Sequence, residues 1–339
     1  MEFETIMREI TGGLTGDSED DVNYLAEQVE IYKDHEMSNE IIKGISSIMW
    51  EILPVDLNEE YDKLSENDYK ELDIAIEDVL SQINKDNPEK ALSIIGEIIK
   101  PYKDWFVEDE SLEYLFFQNV FEMVLYLEIV KPSKFNKIIP YDFGFLYFLY
   151  GNLLLELERF KEAECVLEKS IRINPVDTQR LFELSEICKI QKDMDKYFEI
   201  TNKCLKYSYI NEDLAHSYRN LAYYFLEKEN FDLASTLLYF SMYIFPDSKL
   251  AFSEIEYISQ ITGKQIEEPS IDDIEKILNE NNIQFGPNHE LLNIAVNLAI
   301  DSEENKNHET ALLCYEILYE LTFDDKFKEK IDELAEKLK

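Results

Sequence analysis

The sequence predicts an all-α protein in which pairs of helices are repeated along the chain. One complete pair lies between Tyr147 and Pro175, where two apolar series with the spacing of a helix face flank a short polar break. Apolar residues in the same phase recur 34 residues further on. Glycine and proline are scarce, with nine of each in 339 residues, and this scarcity favours helices over sandwiches and barrels.

The first helix of this pair is predicted from Tyr147, Gly151 and Leu154, which share one side of a helix. The glycine marks a point at which another backbone approaches closely. The second helix begins at Phe160 and ends before Pro175, because proline cannot continue a helix. Two short helices cannot bury their apolar faces alone, so neighbours of the same kind are expected.

The same arrangement recurs towards the C-terminus. The position of Gly151 is occupied 34 residues later by Ser185, which again lies among apolar residues. A third copy begins around Tyr218, after a slip of three residues, and ends at Pro246. A partial fourth copy follows after a further step of 34 residues and breaks at Gly263.

These residues resemble the tetratricopeptide repeat (TPR), in which aromatic-x2-Leu-Gly-x2-aromatic is followed by Ala-x3-aromatic and proline. The resemblance is close over residues 144–177 and 215–248, fair over 178–211 and partial over 249–263, and a divergent copy fits 292–323. It implies a TPR-like right-handed helical solenoid. The alternative is a helical bundle with accidental periodicity, which would not explain two spacings of 34 residues.

Three regions are expected along the chain. Residues 1–140 form a less regular helical N-terminal region with divergent repeat-like pairs, including a helix over 37–52 and a final linker over 131–140. Residues 141–263 form the clear TPR array, and residues 264–339 form a divergent repeat and a C-terminal capping helix. The tail keeps its apolar residues on one stripe, as is typical of the end of a repeat array.

The chain is strongly acidic, with a formal net charge of -39. Such a surface repels phosphate backbones and anionic membranes, and no basic patch offsets it, so neither a nucleic acid nor a membrane is expected as a partner. Two interpretations of the charge remain: it attracts basic partners, or it mainly keeps the protein soluble. With no apolar leader and no long apolar run, the cytoplasm is the expected location.

The sequence offers little for catalysis or for a cofactor. The four histidines show no metal-ligand spacing, the four cysteines show no C-x-x-C pair, and glycine-rich phosphate loops are missing. Pairs of carboxylates occur because acidic residues are abundant, and no polar pocket accompanies them. We therefore expect no catalytic residues, no metal and no cofactor.

In the TPR family the first helix of each repeat lines a concave groove, so the resemblance implies a ligand-binding surface on these helices. The predicted ligand-binding residues are Phe148, Asn152, Phe182, Glu186, Lys189, Arg219, Tyr223 and Tyr257. Side chains of these kinds suit a peptide held by apolar pockets and directed hydrogen bonds. Two alternatives stay open. Phe148 and Phe182 could instead pack against neighbouring helices, and Arg219 could only neutralise Glu254 or Glu256.

The favoured function is a non-catalytic adaptor that binds a protein or peptide in the groove of the array. The alternative is a regulatory sensor that responds to a peptide and acts through protein contacts, with residues 1–140 as its output module. A third and weaker hypothesis is an enzyme with its site in the N-terminal region. The identity of the partner is not encoded in any motif of the chain.

Overall fold

The computed structural model describes residues 2–32 except 17, isolated positions between 35 and 48, residues 66–102, and residues 112–338 except 247. The helix expected over 37–52 therefore lies largely outside the described residues. The chain divides into two compact units. Unit 1 comprises Met1–Ala75, Asp104–Tyr114 and Ser133–Tyr141, and unit 2 comprises Ile76–Lys103, Leu115–Pro132 and Asp142–Lys339.

Helices make up most of the described residues, and the all-α class is confirmed. The N-terminal half contains α1 (Glu2–Gly12), α2 (Ser18–Tyr32), α3 (Glu66–Ile83), α4 (Pro88–Ile99) and α5 (Val120–Leu125), which continues as a π-helical turn at Tyr126–Val130. The remaining helices are α6 (Phe143–Glu156), α7 (Phe160–Ile173), α8 (Thr178–Gln191), α9 (Met194–Tyr207), α10 (Asn211–Glu227), α11 (Phe231–Ile244), α12 (Lys249–Thr262), α13 (Ile271–Glu280), α14 (His289–Glu304), α15 (His308–Thr322) and α16 (Asp325–Lys337).

Unit 1 has a small apolar core of its own. Its fully buried members are Ile10, Leu25, Ile41 and Ile45, and Phe135 packs against them. Strands β1 (Leu112–Leu115) and β2 (Phe135–Ile138) form a two-stranded sheet. The prediction of a linker over 131–140 is therefore wrong in part, because Phe135 packs against this core and Phe135–Ile138 pair as a strand.

The helices of unit 2 pair as the periodicity predicts. Helix α6 packs against α7, α8 against α9 and α10 against α11, and each pair also packs against the next. Gly151 lies at a close contact in the first pair, since a Cβ there would lie 2.6 Å from Leu167 Cγ. The equivalent Ser185 is completely buried, and its Oγ donates to the carbonyl of Phe182 at 2.7 Å.

One turn recurs between the two helices of five pairs. The backbone N–H of Arg159 donates to the carbonyl five residues earlier, Leu154, at 2.8 Å, and the intervening Glu158 is left-handed with φ 59°. This is the Schellman arrangement, which satisfies a free carbonyl at a helix end. The other four turns have left-handed Asp86, Lys192, Glu229 and Lys306 and the same bonds from Asn87, Asp193, Asn230 and Asn307. Pairs α3/α4 and α14/α15 thus share the connection of the clear repeats.

The C-terminal helices return to the middle of unit 2. Helices α14 and α15 form a pair that packs against α5, and α16 covers α15. The segment before α14 is fixed by the Tyr218 hydroxyl, which donates to the carbonyls of Gln284 at 2.8 Å and Gly286 at 3.0 Å. Of the helices that the structure describes, none is long and apolar enough to cross a membrane.

Candidate functional site

The predicted ligand-binding residues lie on the first helices of successive pairs. Phe148 and Asn152 are on α6, Phe182, Glu186 and Lys189 on α8, Arg219 and Tyr223 on α10, and Tyr257 on α12. We call the surface that these eight residues define the first-helix face. Two of its helices begin at aspartate caps: Asp142 accepts from the Phe145 N–H at 2.9 Å, and Asp177 accepts from the Gln179 N–H at 3.0 Å.

The aromatic residues of this face differ in exposure. Phe182 is only 4% exposed and stacks on His216 of α10, with ring centroids 3.9 Å apart. Phe148 is half-buried and stacks on Phe145 at 6.2 Å. Phe182 therefore joins two first helices, whereas Phe148 keeps part of its ring available.

Burial also sets the charge state of His216. Burial lowers the pKa of its imidazole to about 4, and the positive charges of Arg219 and Lys189 act in the same direction. The ring is consequently neutral at pH 7, so it contributes apolar and aromatic surface to the packing of α8 against α10.

Three of the predicted residues meet between α8 and α10. The Lys189 ammonium lies 3.5 Å from a Glu186 carboxylate oxygen and 4.3 Å from the centre of the Tyr223 ring. The second contact is a cation–π interaction, in which the ring face attracts the ammonium. Glu186 and Lys189 are 39% and 32% exposed, so this small cluster stays within reach of a partner.

Arg219 lies beside the same cluster with one hydrogen-bonding atom unused. Its Nη1 atom is buried and has no hydrogen-bond partner. Burial lowers the pKa of the guanidinium, and Glu254 and Glu212 act against that shift. Glu254 is thus one of the two acids that the sequence suggested as neighbours of Arg219, while Glu256 is exposed.

Glu254 and Glu183 belong to the site although neither was among the predicted ligand-binding residues. Burial raises the pKa of Glu254, against the opposing charges of Lys189 and Arg219. Burial and the charge of Glu186 raise the pKa of Glu183. The helical spacing of Glu254 from Leu250 and Tyr257 was the signal that could have identified it.

Asn152 carries a second unused polar atom. Its Oδ1 is buried and accepts no hydrogen bond. A buried acceptor on α6 and a buried donor on α10 are therefore both unsatisfied on the first-helix face. Native proteins satisfy most such groups, because each one left unpaired costs about 1–3 kcal/mol.

Helix α12 adds an exposed apolar surface. Leu250, Tyr257 and Ile261 are 58%, 51% and 46% exposed, and their spacing of seven and four residues places them on one side of the helix. We call these three residues the apolar stripe. Ala251, Ile255 and Ile258 of the same helix are buried, so the stripe is not the packing face of α12.

The described residues do not gather a metal-binding group of three or more histidines, cysteines or acids. Three of the four cysteines are buried thiols, and burial raises the pKa of Cys188 to about 11 and that of Cys314 to about 12. Thiols of this kind stay protonated at pH 7 and are poor nucleophiles.

No family model matches the chain, and no curated protein sequence matches it. Among solved structures, the chain is similar to one in the crystal structure of the APC/C hetero-tetramer Cut9-Hcn1, with 14% identity and a TM-score of 0.33. The match covers 90% of this chain, which spans 58% of the length of that one. The paired helices and their shared turn define a helical-repeat protein with a TPR-like fold.

Proposed function

We propose that the protein is a non-catalytic adaptor that binds a protein or peptide segment on the first-helix face. The observation that carries this proposal is the pair of unsatisfied atoms, Asn152 Oδ1 on α6 and Arg219 Nη1 on α10, which are the first helices of the first and third repeats. A partner that donates to the first atom and accepts from the second would relieve both costs. Peptide groups carry one donor and one acceptor each, so a polypeptide suits this arrangement.

The surroundings of these atoms support the same proposal. The half-buried Phe148 lies one helical turn from Asn152 on α6, and the partly exposed Glu186 and Lys189 lie beside Arg219. Aromatic surface next to a few directed polar groups is the usual composition of a peptide-binding site. Binding here requires no chemical step, and no residue of the face is placed as a nucleophile with a base beside it.

The test is affinity capture from lysate of the source cells with three forms of the full chain. The first is wild type, and the second carries Phe148→Ala, Asn152→Ala and Arg219→Ala. The third carries Phe160→Ala, Asn202→Ala and Arg172→Ala, which are the same residue types on the second helices α7 and α9. Circular dichroism melting should show that all three forms are folded.

We expect a protein that is retained by wild type and by the second-helix variant and is lost by the first-helix variant. Quantitative mass spectrometry of the eluates measures this difference. Retention of the same proteins by all three forms would refute the assignment of binding to the first-helix face.

A further inference from the structure

The apolar stripe lies next to an unbalanced group of charges. Glu254 sits between Leu250 and Tyr257 on α12 and interacts electrostatically with Lys189, Arg219 and Glu186. Helix α12 therefore contributes to both surfaces. Its half-buried Glu254 interacts with residues of the first-helix face, and its exposed apolar side chains form the stripe. The stripe shares Tyr257 with the face and, at about 1.5 Å per residue, runs roughly 16 Å along α12.

The charges around this junction are mainly negative. Tyr223 interacts electrostatically with Glu227, Glu186 and Glu254. Glu183 and Glu212 interact with members of the same group. The cations that interact with this group are Lys189 and Arg219. The group therefore contains two formal positive charges and five carboxylates, those of Glu183, Glu186, Glu212, Glu227 and Glu254.

We propose that the segment bound by this protein is cationic and amphipathic, with large apolar side chains on the apolar stripe and lysine or arginine side chains directed to Glu186, Glu227 and Glu254. This proposal rests on the proposed adaptor function and names the chemistry of its partner. Charge complementarity supports it, because opposite potentials across an interface speed association and exclude wrong partners. The stripe supplies the apolar contact that anchors such a segment.

The same charges argue against two other occupants. An acidic segment would add negative charge beside carboxylates that already repel each other, as Glu186 repels Glu254. A second copy of this chain would bring another net charge of -39 to the surface. A cationic amphipathic segment meets neither obstacle.

The test uses three fluorescein-labelled synthetic peptides of 18 residues with the full chain and fluorescence anisotropy. The first peptide contains leucine and lysine, with the leucines at helical spacing. The second has serine in place of every leucine, and the third has glutamate in place of every lysine. We expect the first peptide to bind at least about tenfold more tightly than the other two at 150 mM NaCl.

Two double variants locate the site. Glu186→Gln with Glu254→Gln, and Tyr257→Ser with Ile261→Ser, should each weaken binding of the leucine–lysine peptide by about fivefold or more. The matched controls are Glu275→Gln with Glu329→Gln, and Tyr243→Ser with Ile300→Ser, which change exposed residues of the same types on α11, α13, α14 and α16. Each control should stay within about twofold of wild type.

Three results would overturn the proposal. Equal weakening by the control variants would show general attraction to an acidic protein. Equal binding of the glutamate peptide would show that the bound segment does not need positive charge. Lack of binding by the leucine–lysine peptide would show that a cationic amphipathic segment is not the partner. The capture experiment distinguishes these failures from failure of the adaptor function. If the peptide does not bind but the first-helix variant loses a captured protein, binding on the first-helix face is still supported and only the proposed partner chemistry is refuted.

Discussion

The guanidinium of Arg180 is buried on α8, and its Nη2 atom lies 2.7 Å from a carboxylate oxygen of Asp142, which is 38 residues earlier and caps α6. The same side chain pairs with Asp177 at 2.8 Å and donates to the Ser170 carbonyl at 3.0 Å. One side chain thus ties together the starts of two successive first helices. Burial raises the pKa of Asp142, and Arg180 opposes that shift.

Replacement of Arg180 by methionine should strongly destabilise unit 2. The substitution keeps a long side chain but leaves the carboxylates of Asp142 and Asp177 without their buried cation, and breaking a buried ion pair in this way costs about 3–5 kcal/mol. Urea unfolding followed by circular dichroism measures the loss. Arg172→Ala on the exposed side of α7 is the control and should cost below about 0.5 kcal/mol. A loss below about 1 kcal/mol for Arg180→Met would contradict the role of this pair.

Gly151→Ala should destabilise the first repeat pair. The added Cβ would lie 2.6 Å from Leu167 Cγ, and Leu167 is fully buried, so α6 and α7 must separate at a cost of about 1–3 kcal/mol. Gly96→Ala is the matched control, because its Cβ has a nearest neighbour at 4.0 Å. That change should stabilise α4 by about 0.5–1 kcal/mol through helix propensity. Equal effects of the two substitutions in thermal melts would show that close approach at Gly151 does not matter.

Lys192→Gly should stabilise the protein. Lys192 has φ 61° and ψ 26° at the end of α8, a left-handed conformation that costs most residues about 1–2 kcal/mol and glycine little. Glycine also makes the unfolded chain more flexible, which offsets part of this effect. The free energy of unfolding, measured with urea, is therefore expected to rise by about 0.5–1 kcal/mol. Lys203→Gly, on an exposed part of α9, should instead cost about 1 kcal/mol. A loss of stability with Lys192→Gly would mean that the lysine side chain makes a necessary contact.

Asp213→Asn should stabilise the protein in a pH-dependent manner. Burial raises the pKa of Asp213 from 3.8 to about 6, with Asp177 and Glu212 acting in the same direction. The folded state therefore holds this proton more tightly than the unfolded chain. The resulting stabilisation is full below pH 4 and is lost as the pH rises through 6. The amide oxygen can accept from Gln179, and the amide N–H can donate to Thr178 Oγ1, so both contacts persist with the second reversed in direction.

The free energy of unfolding of the variant should exceed that of wild type by about 1–3 kcal/mol at pH 7.5 and should equal it near pH 4. Thermal melts at the two pH values measure this difference. Asp332→Asn, at an exposed position of α16, is the control and should show no such dependence. A difference of equal size at both pH values would show that the effect does not come from titration of Asp213.

Periodicity predicted the helix pairs well, because their apolar positions are set by local spacing. Helix α7 spans Phe160–Ile173, as the sequence indicated, whereas α6 begins at Phe143. That earlier start follows from Asp142, whose side chain accepts from the Phe145 N–H. The cap could have been recognised, since aspartate before an apolar run is a common helix start.

The long-range polar contacts were not predictable from spacing. Glu122 is 2% exposed and accepts hydrogen bonds from Tyr209 Oη and Asn174 Nδ2, both at 2.9 Å, while burial raises its pKa. These partners are 87 and 52 residues away. Only the folded chain shows which helix ends meet, and the same holds for Arg180 and Asp142. The first-helix residues could be named from the repeat phase, but the packed helices were needed to show that Glu254, rather than the exposed Glu256, interacts with Arg219.

The return of the C-terminal helices changes how unit 2 should unfold. The backbone N–H of Asn211 donates to a carboxylate oxygen of Glu320 at 2.9 Å, and its side chain donates to the carbonyl of the same residue, across 109 positions. In a simple array each repeat touches only its neighbours, and melting can begin at an end and spread. Here α15 is hydrogen-bonded to the start of α10, so unfolding of the last helices would remove contacts from α10 in the middle of unit 2. We therefore expect residues 211–320 to unfold as one cooperative block.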